Sequence, residues 1–410
     1  MKLLKKLLFI VIYFVPLAVH SQDTKLLPKL FKGEKLVEDI ISNLEIYEVQ
    51  IIYTKIERNK NKVNFKNYHF NVDKNNYFYP STAVMLPAAV LTLEKLNNIA
   101  KENHEINKDR WIKIEKAESN QEIVLQATLS EYIKSMLLER DENAYNYCYD
   151  FLNQRYFNER MHELGYKDSW FLHKLDNEDT KESRLTNRIT FYRNDIQSYY
   201  YDIIHLKRHA SIIPFFGIYT KNEEYNTVDY YSNRKKLHLG KGYIEDGKQI
   251  NSPLDFTNKN SYTVENYHSF LKALIFPETQ KYKLNLTNED YRFLYKYMSA
   301  ADDSSDNFHK YIMGNNLNSS IKTFNISGRD FGFMADNAYV IDTENNIEFL
   351  LTIVINCNEE NIFGENYKEE HYKYETVGLP FIKEVSSIIH KYEIKNKNKR
   401  NIPDFSNVLD

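Results

Sequence analysis

Apolar residues recur at helical spacing through Leu36, Ile40, Ile41 and Leu44, then alternate through Val49, Ile51 and Tyr53. That change of period predicts a helix in the first part of 35–55 and a strand after it, continued by a second strand over 63–72. From 82 to 100 the helical period returns and nearly every residue is apolar, which marks a buried helix; Pro87 falls near its start, where the first turn tolerates it. Further helices are predicted at 128–139, 143–152, 155–164 and 263–275, whereas 176–190 and 219–262 read as polar, turn-rich excursions. Near the end, 331–334, 337–342 and 348–356 read as consecutive strands, with Asn345-Asn346 as a hairpin turn, and a last helix covers 380–392. Helices between an early strand pair and a late antiparallel set give an α+β fold: an antiparallel sheet flanked by helices, with a mainly helical subdomain. Eleven glycines and nine prolines are too few to mark a flexible linker, and no repeat is visible, so residues 22–410 are expected to form one domain.

Residues 1–21 change the expected location. Lys2, Lys5 and Lys6 precede an apolar stretch from Leu7 to Val19, and Val19-His20-Ser21 offers a cleavage site before Gln22, the layout of a secretory signal peptide. The expectation is a periplasmic or secreted protein, free of the membrane once the signal is removed; an uncleaved anchor helix is the alternative. No later run approaches the ~20 apolar residues of a membrane span. Removing the three signal lysines takes the net charge from −3 to −6, which disfavours a nucleic-acid partner. Cys148 and Cys357 lie far apart in sequence and are expected to be buried free thiols. There is no metal-spaced His/Cys cluster and no cofactor is expected. The 33 tyrosines are spread through the chain and read as compositional bias.

Three stretches carry the candidate chemistry. At the head of the buried helix stands Tyr77-Phe78-Tyr79-Pro80-Ser81-Thr82-Ala83-Val84-Met85-Leu86-Pro87, followed by Glu94-Lys95-Leu96. Arg140-Asp141-Glu142-Asn143-Ala144-Tyr145-Asn146 precedes Tyr149-Asp150-Phe151-Leu152. The third runs from Phe324-Asn325-Ile326-Ser327-Gly328-Arg329 to Phe333. In this order they resemble the penicillin-recognising serine hydrolases of the class A β-lactamase kind, whose tracts take the forms F-Y-P-A-S-T-V-K-L-P, S-D-N-D-A-Y-N and F-N-K-V-G-x-x-Y-G-F. Shorter stretches, among them Thr186-Asn187-Arg188, Phe276-Pro277-Glu278 and Tyr374-Glu375-Thr376-Val377-Gly378, extend the resemblance over most of 60–390.

The resemblance implies a role for each position. A serine with a lysine one turn later activates its hydroxyl without histidine, the two groups sharing one helix face. Registration on Leu86-Pro87 puts Thr82 at the serine position and Met85 at the lysine position; the other register takes Ser81, with Val84 three residues on. Threonine keeps a hydroxyl but restricts its rotamer, and methionine accepts no proton. In the second motif Arg140 replaces the shuttle serine, Asp141 persists and Glu142 replaces the amide; apart from the resemblance, this stretch is a charged helix end. In the third, Ile326 replaces the carboxylate-binding lysine while Ser327 and Gly328 fit. Arg329 reads as a solvated arginine, since strand alternation points it away from the lysine's side. Glu182 with Leu185 and Asn187 echoes an E-x-x-L-N loop with one residue too many.

These losses imply a pseudoenzyme, since members of one catalytic unit fail together. The expected function is binding, with a small cell-wall-derived or β-lactam-like ligand or a protein as partner. One alternative is a divergent hydrolase with Thr82 as nucleophile and Glu142 or a tyrosine as base. Another is an interaction scaffold that uses the tyrosine loops at 197–201 and 225–231.

Overall fold

The computed structural model describes residues 23–59, 62–115, 126–175, 185–192, 217–221, 236–300, 310–314, 320–364 and 371–397. The apolar N-terminal stretch, both tyrosine loops and Glu182 lie outside the described residues.

Three short helices, α1 (Leu26–Phe31), α2 (Lys35–Ile41) and α3 (Leu44–Tyr47), lead into a hairpin of β1 (Gln50–Asn59) and β2 (Lys62–Phe70). A 3-10 turn at Ser81–Val84 runs directly into α4 (Met85–Ala100). After β3 (Trp111–Glu115) and β4 (Gln126–Thr128) come α5 (Leu129–Glu139), α6 (Glu142–Leu152) and α7 (Gln154–Glu163). Short strands follow: β5 (Arg188–Tyr192), β6 (Gly217–Lys221), β7 (His238–Leu239), β8 (Gly242–Glu245), β9 (Lys248–Ile250) and β10 (Leu254–Asp255). Helices α8 (Val264–Ile275) and α9 (Asn288–Ser299) precede β11 (Ile321–Asp330), β12 (Phe333–Asp342), β13 (Ile347–Asn356) and β14 (Ile362–Phe363), and α10 (Leu379–Lys395) comes last.

The main sheet has five antiparallel strands in the order β11-β12-β13-β1-β2, with Ser327 opposite Asp336 and Asn337 opposite Thr352. Every residue of β12 and β13 is buried, so both faces of the sheet must be covered. Alternation divides β12 between two apolar cores. Phe333, Ala335, Tyr339 and Ile341 face α8 and the helical layer, while Met334, Ala338 and Val340 face α10 and the N-terminal helices. Within the helical layer α4 is the inner helix, packed on α5 and α6 and buried almost all round up to Leu96. Its one buried charge, Glu94, accepts from Nε and Nη2 of Arg160, each at 2.8 Å. A second sheet, β4-β3-β5-β6, lies beside this layer.

The α+β layout, the early strand pair, the helices near 128–164 and the Asn345-Asn346 turn are as the sequence suggests. Three differences have physical causes. The helix expected from 82 opens as a 3-10 turn and becomes α-helical only at Met85. The segments 331–334 and 337–342 belong to one hairpin, with the turn at Phe331-Gly332 (φ 50° and 81°) and a strand unbroken from Phe333 to Asp342. Ala335 and Asp336, left between the two expected strands, sit inside the sheet, and the Asp336 carboxylate takes its hydrogen bonds internally. Finally, α9 was not anticipated, because its apolar period is interrupted, and β11 was expected through the resemblance alone.

Candidate functional site

The 3-10 turn and the edge of β11 meet at the candidate site. Ser81, just before the aligned nucleophile position, is buried with φ +45°, a conformation few non-glycine residues adopt. This kink turns two successive hydroxyls onto the strand. Thr82 Oγ1 donates to the Ser327 carbonyl at 2.8 Å, and Ser81 Oγ donates to the Arg329 carbonyl at 3.2 Å. Between those two carbonyls lies Gly328, where an added Cβ would stand 2.2 Å from the Pro80 oxygen and 2.9 Å from the Ala83 nitrogen. Only glycine allows the turn and the strand to approach so closely. Thr82, Ser327 and Gly328 are thus brought together as the sequence suggested, but the hydroxyl's proton is committed to a backbone carbonyl.

The other aligned positions fill the interior. Met85 and Ile326 are wholly buried, and the Ile326 carbonyl accepts from the Tyr267 hydroxyl. Arg140 has a left-handed backbone (φ 56°) that ends α5, and its Nη1 donates to the carbonyls of Met136 and Leu137. It therefore acts as a helix C-cap, the use to which a basic side chain is suited at that helix end. Asp141 caps the next helix, accepting from the Asn143 and Ala144 amides at 2.9 and 3.2 Å. Glu142 is half-buried in the first turn of α6. Burial, with the charges of Asp330 and Glu142 among the contributors, holds the neighbouring Tyr79 phenol well above its usual range.

Arg329 corrects the expectation of a solvated side chain. Its guanidinium pairs with Glu375 at 2.7 Å, lies 5.4 Å from the centre of the Tyr374 ring and is only 15% exposed. The register of β11 with β12 runs without a bulge, so Arg329 shares its face with Ser327 and not with Ile326. On that same face Asp336 was overlooked in the sequence. It is fully buried and accepts from the amides of Tyr311 and Ile312 and from Asn325 Nδ2, at 3.0, 2.8 and 3.1 Å. Burial lifts its carboxyl to about 6, against those hydrogen bonds and the nearby Arg140 charge. An aspartate within an apolar strand was the available signal.

The segment that borders the site is anchored from α6. Asn146 exchanges two 2.8 Å bonds with the Leu175 backbone, and Asp150 takes Lys174 on one oxygen and Asn187 on the other, each at 2.8 Å. Cys148 and Cys357 are buried free thiols; burial pushes Cys148 up to about 12. Among the described residues no three His, Cys, Asp or Glu side chains converge as a metal site would need.

Residues 37–196, which run from within α2 through the β1–β2 hairpin, the Thr82 turn and the α5–α6 junction, match the family model described as the beta-lactamase enzyme family. Over that stretch the chain is β-lactamase-like. Solved structures similar to this β-lactamase-like chain include a mutant of PBP-A as its acyl-enzyme complex with penicillin G, at 10% identity and a TM-score of 0.49, covering 90% of this chain and 97% of that one. A chromosome-encoded beta-lactamase mutant of Vibrio parahaemolyticus matches at 11% identity and a TM-score of 0.47, over 87% and 99% of the two chains. The class A beta-lactamase of Mycobacterium abscessus matches at 10% identity and a TM-score of 0.46, over 87% and 98%. The sequence matches no curated protein.

Proposed function

We propose that this β-lactamase-like protein is an exported, catalytically silent member of its kind that acts by binding a small cell-wall-derived or β-lactam-like ligand beside Thr82. The observation that carries this reading is the state of the Thr82 hydroxyl, which donates to the Ser327 carbonyl while the position one turn later is the buried Met85. A nucleophile needs a base within hydrogen-bond reach of its proton. Here that proton is held by an amide carbonyl, which is far too weak a base to remove it. Arg140 is occupied as a helix cap and Ile326 carries no charge, so the shuttle and the cationic clamp are missing as well.

The test is to incubate the purified chain with a fluorescent penicillin and a chromogenic cephalosporin, and separately to follow its melting with soluble cell-wall peptide fragments. No adduct and no turnover are expected, together with saturable thermal stabilisation by the fragments. A covalent penicillin adduct that disappears in Thr82→Ala would overturn the reading in favour of a divergent hydrolase.

A further inference from the structure

Helix α8 meets the main sheet through a buried histidine. His268 is 2% exposed, and both of its ring nitrogens reach threonines of the sheet at 2.8 Å: Nδ1 faces Thr352 Oγ1 on β13, and Nε2 faces Thr54 Oγ1 on β1. A hydroxyl has one proton to give, so the second partner of each threonine decides what it offers the ring. On the β13 side the answer is fixed. Asn337 Nδ2 donates to the Tyr267 carbonyl at 2.6 Å, which turns the Asn337 oxygen toward Thr352, and Thr352 donates to that oxygen at 2.8 Å. Thr352 can then only accept from the ring, so Nδ1 carries a proton.

The β1 side has two settings. Thr54 Oγ1 lies 2.8 Å from Asn67 Oδ1. In this setting Thr54 donates to Asn67 and accepts from Nε2, and the ring is an imidazolium. Asn67 stands partly exposed on the edge strand β2, and among the described residues its side-chain amide bonds Thr54 alone. Half a turn of that amide brings Nδ2 to Thr54. Asn67 then donates to Thr54, Thr54 donates to Nε2, and the ring is neutral with its proton on Nδ1. All three contacts survive in either setting.

The surroundings choose between the two. Burial first, then the charges of Lys272 one turn along α8 and of His69 on β2, hold the ring well below the usual histidine range. The carboxylates on the elements packed here are engaged elsewhere. Glu348 of β13 accepts from Arg58 of β1 at 2.9 Å, and Glu265 of α8 lies among Asp73, Asp168 and Lys74. The neutral setting therefore rules at neutral pH.

We propose that His268, Thr54 and Asn67 form a pH-operated switch between α8 and the main sheet. In its neutral setting it fastens the helix to β1 and β13. When acid puts a proton on Nε2, the Thr54 hydroxyl and the Asn67 amide turn over, and the new charge beside Lys272 and His69 loosens the helix. The proton comes from hydronium at the exposed Asn67 end; one N–H bond forms, one hydronium O–H bond breaks, and the rest is rotation. Tyr267 carries the effect toward the Thr82 turn. Its carbonyl is held by Asn337, and its hydroxyl donates to the Ile326 carbonyl, one residue before the acceptor of Thr82. The unfolded ring ionises near 6.5 and the folded ring lower. Stability from this group is thus complete above that value and falls with the pH below it, by up to about tenfold in the folding equilibrium per pH unit, until the folded ring is itself charged.

The test is nitrogen NMR of the full chain labelled at histidine, with hydrogen exchange of the α8 amides followed over the same acid range. Near neutral pH, His268 is expected as the Nδ1–H tautomer. It should become charged about one pH unit or more below the exposed His104, and exchange of the α8 amides should quicken about tenfold as it does so. Asn67→Asp replaces the two-way amide by an acceptor and should raise the His268 midpoint by about one unit or more. His268→Gln should abolish the acid-dependent part of α8 exchange, since the Asp336 carboxyl titrates alike in both proteins. An Nε2–H tautomer, a ring charged at neutral pH, an unmoved midpoint in Asn67→Asp, or α8 exchange that answers acid equally in His268→Gln overturns the proposal. The tautomer and the Asn67→Asp midpoint stand even where His268→Gln fails to fold, and every reading is independent of ligand binding beside Thr82.

Discussion

Asp336 makes the stability of the protein depend on pH in an unusual direction for a carboxylate. In the unfolded chain it ionises near the ordinary aspartate value of 3.8, and in the folded protein burial lifts this to about 6. Between those values the folded state holds a proton that the unfolded state has lost. Its contribution to stability is complete below about pH 3.8 and declines as the pH rises through about 6, by a total of about 3 kcal/mol. Urea unfolding of the wild type and Asp336→Asn over pH 4–7 measures this: the variant should lack that part of the decline, and identical profiles for the two would contradict it. The candidate positions Thr82, Ser327 and Gly328 were legible because a family tract fixes their register, and the structure places them in contact. The uses of Arg140 and Arg329 were not legible. Each depends on a partner supplied by backbone geometry: the last carbonyls of α5 for Arg140, and Glu375 before α10 for Arg329.

At the scale of elements, those that announce themselves carry one strong period or one strong cap. Helix α5 has both, with a buried stripe of Leu129, Ile133, Met136 and Leu137 and a capping box in which Thr128 and Glu131 satisfy one another's backbone amides. Thr128→Ala is expected to cost about 1 kcal/mol, measured by urea unfolding, and Thr128→Asn should recover most of it. Helix α9 has the same kind of cap at Thr287 and Asp290, yet lysine, arginine and tyrosine crowd its apolar stripe of Leu294, Tyr295 and Met298. Strand β11 was obscured for the opposite reason. Thr323, Asn325 and Ser327 alternate with Phe324 and Ile326, but polar and apolar residues alike are buried, since both faces of the strand are covered. Alternation then carries no contrast between water and core, and only the hydrogen bonds made inside the fold distinguish the two sides.

At the scale of the whole molecule, the main sheet is a wall between two apolar cores, one shared with the helical layer and one with α10 and the N-terminal helices. Burial on both faces explains why the fold class was readable from the order of elements alone, whereas the second sheet, built of short strands from distant segments, was not. The helical layer meets the edge of this wall where the two hydroxyls of Ser81 and Thr82 fasten onto β11. A fastening of that kind reverses the usual meaning of covalent occupancy. In a protein with a vacant nucleophile, an acyl group adds contacts; here an acyl group forced onto Thr82 by a reactive reagent would remove the donor and act as a wedge between turn and strand. A mass-verified adduct should therefore melt roughly 1–3 °C below the unmodified chain, so scanning fluorimetry would register the label as damage to the seam where an acyl-enzyme would register it as a bound ligand.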